Sequence, residues 1–80
     1  MSTAVHPQLR RLHKLAEKAK VPNAVLMAHL RVSHTTFYFW LRGASVSIDD
    51  ARRVTSLADK IERLLERGVA NISGKLKQEP

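Results

Sequence analysis

The run TTFYFW, residues 35–40, holds every Phe, Tyr and Trp of the 80-residue chain. By local preference it is a β-strand, because threonine and aromatic side chains favour the pleated, half-buried surface of a sheet. A strand needs a partner, and outside the C-terminal tail nothing in the chain reads as one. The flanks point the other way. Ser33 is a good helix N-cap, and Gly43 tolerates the left-handed backbone that often ends a helix. Wound at about 100° per residue, Phe37, Trp40 and Leu41 share one side with Ser33. Thr35, Tyr38, Phe39 and Arg42 share the other, with His34 at the flank. Strand propensity is a weak preference that packing overrides. A helix over 34–41 is therefore expected, with a bulky anchoring face and a polar-aromatic outer face. A helix laid into the major groove of DNA has this form.

Working outward, Pro7 opens a helix where its missing N–H costs nothing. In PQLRRLHKLAEKAK, Leu9, Leu12, Leu15, Ala16 and Ala19 make one apolar stripe, with Arg10, Arg11, Lys14 and Lys18 mostly elsewhere. KVPN breaks that helix at Val21, since the residue before a proline is biased out of the α region. Pro22 and Asn23 suit a new start, and AVLMAHL follows as a short apolar helix covered by neighbours. Beyond Gly43, Ser47 and Asp50 form a capping box, and Asp49 and Asp50 favour the positive end of a helix dipole. Residues 48–67 contain no Gly or Pro. Val54, Leu57, Ile61 and Leu64 form a stripe there, widened by Ala51, Ala58 and Leu65. One long helix, or two with a bend near 58–60, fits equally. Gly68 ends it. The expected organisation is a flexible N-terminus (1–6), a helical domain (7–67) and a weakly ordered tail (68–80) with a short strand or a partner-contacting arm as possibilities.

The charge is one-sided. The chain carries 14 Lys and Arg against 7 Asp and Glu, a net +7. Residues 1–47 hold seven basic residues and one acid, Glu17, for +6; residues 48–80 hold seven and six, for +1. A basic half joined to a balanced half suggests a polyanion-facing end and a packing end. Nucleic acid is the expected polyanion, ahead of an anionic membrane surface. There is no Cys, so a disulfide or Cys-ligated zinc is excluded. No apolar run approaches the ~20 residues that span a bilayer, and MSTAVHPQLRR lacks the apolar stretch of a secretory signal. A soluble, cytoplasmic protein is expected. Four histidines (His6, His13, His29, His34) have no supporting carboxylate cluster, and no nucleophile motif or phosphate loop is present. No metal, cofactor, small-molecule ligand or enzymatic activity is expected. A chain this short buries a limited core, which favours a partner subunit.

The stretch 21–43, VPNAVLMAHLRVSHTTFYFWLRG, resembles the helix-turn-helix of the phage repressor and Cro type, the lambda-repressor-like family. The matching features are Leu26 and Leu30 on the first helix, Val32 and Ser33 in the turn, the inward Phe37, and Trp40 followed by Gly43 at the end of the second helix. The layout agrees over roughly 7–67. Two positions depart from the pattern. Arg31 stands where the family usually has Gly, and so must accept a left-handed backbone or a slightly different turn, at about 1 kcal/mol or more. Met27 stands where Ala or Gly is usual, and crowds the helix crossing.

The resemblance implies a compact all-α fold of four or five helices, with a recognition helix at about 34–41. It places Ser33, His34, Thr35, Tyr38, Phe39 and Arg42 toward base edges, and Asn23 toward a phosphate. Lys20 and Arg31 are further phosphate candidates. It implies double-stranded DNA as partner and a homodimer on an inverted-repeat operator, most simply a repressor that blocks polymerase. The apolar stripe of Val54, Leu57, Ile61, Leu64 and Leu65 is the expected dimer surface, its other reading being intramolecular core. The second functional reading is an antitoxin-like or adaptor module whose basic surface binds an acidic protein. RNA binding lacks the strand-built stacking platform of common RNA modules.

Overall fold

Five helices run through residues 5–78, the part of the chain that the computed structural model describes: α1 (Pro7–Ala19), α2 (Asn23–Leu30), α3 (His34–Leu41), α4 (Ile48–Glu66) and α5 (Ile72–Gln78). The described residues contain no strand, so the aromatic run is helical and the chain is all-α. No helix among them is long and apolar enough to cross a membrane.

Four helices end by one device. After α1, Lys20 turns left-handed (φ 57°, ψ 41°), its N–H meets Glu17 O at 3.2 Å, and the N–H of Val21 returns to Ala16 O at 2.8 Å. The same return bond closes α2 through Arg31 (φ 57°, ψ 42°), from Val32 N–H to Met27 O at 3.2 Å. Gly43 (φ 104°) closes α3 and Gly68 (φ 69°) closes α4 in the same way, with Ala44 bonded to Phe39 O and Val69 to Leu64 O. This is the Schellman ending, which satisfies carbonyls that the last turn leaves open and is often accompanied by an apolar residue just beyond it. Val21, Val32, Ala44 and Val69 hold that place, and Val21 is buried.

Two of these left-handed positions carry side chains where glycine fits without strain. Lys20→Gly is therefore expected to stabilise the domain by about 0.5–1 kcal/mol, the relief of Cβ strain exceeding the extra freedom of the unfolded chain. Thermal unfolding followed by circular dichroism should show Tm rising by roughly 3–6 °C. A fall in Tm would mean that Lys20 carries a contact worth more than its strain.

The core joins Leu9, Leu12 and Ala16 of α1 to Val25, Leu26 and Leu30 of α2, Phe37 and Trp40 of α3, and the inner face of α4. α4 is a single 19-residue helix with no break near Ala58, capped by Ser47, whose Oγ accepts the Asp50 N–H at 3.2 Å. It is the spine against which α1 lies most extensively and which α2 and α5 also touch. This corrects the expected dimer surface. Val54 and Ile61 are fully buried within the chain, and Leu57 and Leu64 nearly so. Leu65 is half-buried, packed on the margin of the same core. The physical reason is that α1, α2 and α5 cover one side of α4, so its apolar stripe is consumed in the monomer.

Within the expected weakly ordered tail, Ile72–Gln78 is α5, a helix where a short strand was one reading. Asn71 caps α5 by accepting the Gly74 N–H at 3.1 Å, and a Cβ at Gly74 would collide with that Asn71 amide. Ile72 and Leu76 are four residues apart and both buried. His29 on α2 bonds Leu76 O through Nε2 at 2.6 Å, which requires the proton on Nε2 and ties the two helices together. At the other end, within the expected flexible N-terminus, Val5 packs against the core and His6 Nδ1 accepts the Gln8 N–H at 3.2 Å. Its first four residues, like 79–80 of the tail, lie outside the described part of the chain.

Candidate nucleic-acid interface

α3 is set by its cap and its inner face. Ser33, extended at φ −73°, ψ 159°, accepts the Thr36 N–H at 3.1 Å through Oγ and donates to Thr36 Oγ1 at 3.0 Å. Phe37 is fully buried and Trp40 almost so, which fixes the rotation of the helix about its axis. With that side inward, His34, Thr35, Tyr38, Phe39 and Arg42 are exposed on the outside. Tyr38 is 38% exposed and Phe39 52% exposed, against 0% for Phe37 between them and the turn. Tyr38 and Phe39 thus lie side by side on the water-facing side of α3.

The outer face is partly preorganised. The rings of His34 and Tyr38, one turn apart, stack at 4.5 Å with a 40° tilt. Asn23, the first residue of α2, donates from Nδ2 to the Tyr38 hydroxyl at 3.4 Å. Asn23, His34 and Tyr38 therefore form one continuous surface joining the start of α2 to the start of α3. α2 has no side-chain cap, and the positive end of its helix dipole lies at Asn23.

Two predicted base-contacting residues have their polar groups engaged locally: the Ser33 hydroxyl both accepts from and donates to Thr36, and the Tyr38 hydroxyl accepts from Asn23. The outward side chains that make no hydrogen bond among the described residues are His34, Thr35, Phe39 and Arg42. Lys20 and Arg31, the two left-handed helix ends, bracket α2 and are exposed.

Electrostatics sharpen this division. Ion pairs join α1 to α4: Arg11 Nη2 reaches Asp59 Oδ1 at 2.8 Å and Glu62 Oε1 at 3.0 Å; within α1, His13 Nδ1 lies 3.6 Å from Glu17 Oε1. The hydrogen bond to Asp59 holds the Arg11 guanidinium pKa above its ordinary value. No acid pairs with Lys20, Arg31 or Arg42 among the described residues, which leaves their charge directed at solvent or a ligand. Arg10 and Lys14 line a furrow with Glu17 and Leu41 between α1 and the end of α3. Sequence reasoning treats them as solvated charges; their position beside α3 is a tertiary fact that no local pattern carries. No group of three or more His, Asp or Glu side chains lies together among the described residues.

No protein-family model, curated protein or solved structure matches the chain.

Proposed function

We propose that this chain is a sequence-specific double-stranded DNA-binding regulator of the helix-turn-helix, lambda-repressor-like kind, with α3 as its recognition helix. The observation that carries the reading is the division of α3 itself. Phe37 and Trp40 are spent on the core, while Thr35, Tyr38, Phe39 and Arg42 stand outward on the basic half of the molecule. A helix of this kind fits the major groove, which is wide enough to admit it. There Arg42 supplies a fork that matches guanine, Thr35 and Phe39 supply apolar contact for a thymine methyl, and His34 supplies a donor or an acceptor. Asn23 at the open end of α2, with Lys20 and Arg31, is suited to phosphates and fixes register rather than sequence. Two copies on an inverted repeat place their α3 helices about 34–36 Å apart, in successive major grooves. A chain bound so occludes polymerase, which makes repression the simplest outcome.

Selection of bound sequences from random duplex DNA, followed by footprinting, tests this reading; a palindromic site is the expected product. On that site Arg42→Ala and Thr35→Ala should weaken binding by about 1–3 kcal/mol each for a lost base contact, with circular dichroism unchanged. Affinity should fall with salt at a log–log slope of about −0.9 per neutralised phosphate. A flat salt response and silent substitutions would sink the DNA reading. If the same substitutions instead abolish a complex with an acidic protein, the antitoxin-like or adaptor reading replaces it.

A further inference from the structure

With the inner stripe of α4 taken up by the core, the opposite side of the same helix faces water. Ile48 stands there 75% exposed, more than any other large apolar side chain of the described residues. Ile48, Arg52, Thr55, Ser56 and Asp59 border one shallow depression along the helix. Arg52 and Asp59 are seven residues apart, two turns or about 10 Å along the axis. Thr55 and Ser56 lie midway between them.

We propose that this outer face of α4 is the surface on which a second copy of the chain docks, helix against helix and antiparallel. A two-fold axis between Thr55 and Ser56 brings Arg52 opposite Asp59 of the second copy, and Asp59 opposite its Arg52. The contact is isologous, so one charge pair in the sequence becomes two in the dimer. The small side chains at the axis permit the helices to approach within the usual 8–10 Å. The same operation sets Ile48 beside Arg63 of the second copy, whose methylene stem covers it while the charge stays in water.

Asp59 is prepared for this role. Arg11 holds its Oδ1 at 2.8 Å, which orients the carboxylate, yet the side chain remains 53% exposed and its second oxygen is open to another guanidinium. The pattern selects its occupant. A polyanion would be repelled by Asp59 and Glu62, and an acidic or a basic peptide would satisfy only one of Arg52 and Asp59. A second copy satisfies both. Such a dimer supplies the symmetry of an inverted repeat, but it does not depend on DNA binding, and its test contains no DNA.

The test is sedimentation equilibrium of the full chain, 9.0 kDa as a monomer, at low salt and up to about 0.5 mM. A dimer is expected. Arg52→Asp and Asp59→Arg should each raise its dissociation constant by about tenfold or more, because each sets like charges against each other twice. A one-to-one mixture of the two variants should regain the parental affinity as a heterodimer, since an all-acidic face then meets an all-basic one. Ile48→Glu, at a side chain open to water and remote from the core, should also weaken the dimer without changing helicity. A parent that stays monomeric overturns the proposal. So do variants that dimerise as the parent does, or a mixture of stably helical variants that fails to reassociate.

Discussion

Phe37→Ala is expected to remove about 3–5 kcal/mol of stability, the range for deleting a large aromatic from a core. A chain of this length has about 4–12 kcal/mol in total, so the variant should be largely unfolded at 37 °C or close to it. The argument rests on position. Phe37 is fully buried, its ring meets Tyr38 edge-on at 6.0 Å, and it joins Trp40 in anchoring α3 to the core shared by α1, α2 and α4. Removing it leaves a cavity and also frees α3 to rotate, so DNA binding should fail together with the fold. Urea denaturation followed by circular dichroism gives the magnitude. Phe37→Leu, which keeps most of the volume, should cost much less, roughly 1–1.5 kcal/mol. If Phe37→Ala unfolds at the parental urea midpoint, α3 is not held by this side chain and the inner and outer faces assigned to it are wrong.

The helical reading of 34–41 was open to sequence reasoning because two non-local facts agreed: Ser33 and Gly43 are boundary residues of a helix, and the run splits cleanly into two faces at helical spacing. At Arg31 the resemblance left a left-handed backbone or a different turn open, and the chain takes the left-handed one. Lys20 takes the same conformation without a comparable signal except the Val21 that follows it, an apolar residue in the place the Schellman ending favours. What stayed hidden is tertiary. An apolar stripe on α4 looks the same whether it meets α1 or a second subunit, and only the packing of α1, α2 and α5 decides that Val54, Leu57, Ile61 and Leu64 belong to the monomer. The tail escaped for a similar reason. Ile72 and Leu76 give one helical interval, Gly74 interrupts it, and the burial of both side chains and the bond from Leu76 O to His29, 47 residues away, are tertiary facts. Within the candidate interface, residue identities could be read from the face of the helix, but not the use of the Ser33 hydroxyl by Thr36 or the bridge from Asn23 to Tyr38.

Phe39→Glu should give the opposite result to Phe37→Ala, two residues away in the same run. Its ring is 52% exposed and faces out of α3, so the substitution opens no cavity. Glutamate is a somewhat better helix former than phenylalanine, and the carboxylate points to water, so Tm should stay unchanged or rise slightly. Binding to the selected DNA should nevertheless fall by about 100-fold or more, because an apolar contact with a base is replaced by a negative charge set against the duplex. Phe39→Ala separates the two contributions: it removes the contact without adding the charge, and about tenfold of the loss should remain. The salt dependence should shift with them. The alanine variant keeps the parental slope, since no phosphate contact is lost, whereas the glutamate variant binds so weakly that only the non-specific, steeply salt-dependent mode persists. Fluorescence anisotropy with labelled operator, beside a thermal melt of each variant, reads both quantities. A Phe39→Glu protein that melts like the parent and binds the operator with parental affinity would place the interface somewhere other than the outer face of α3.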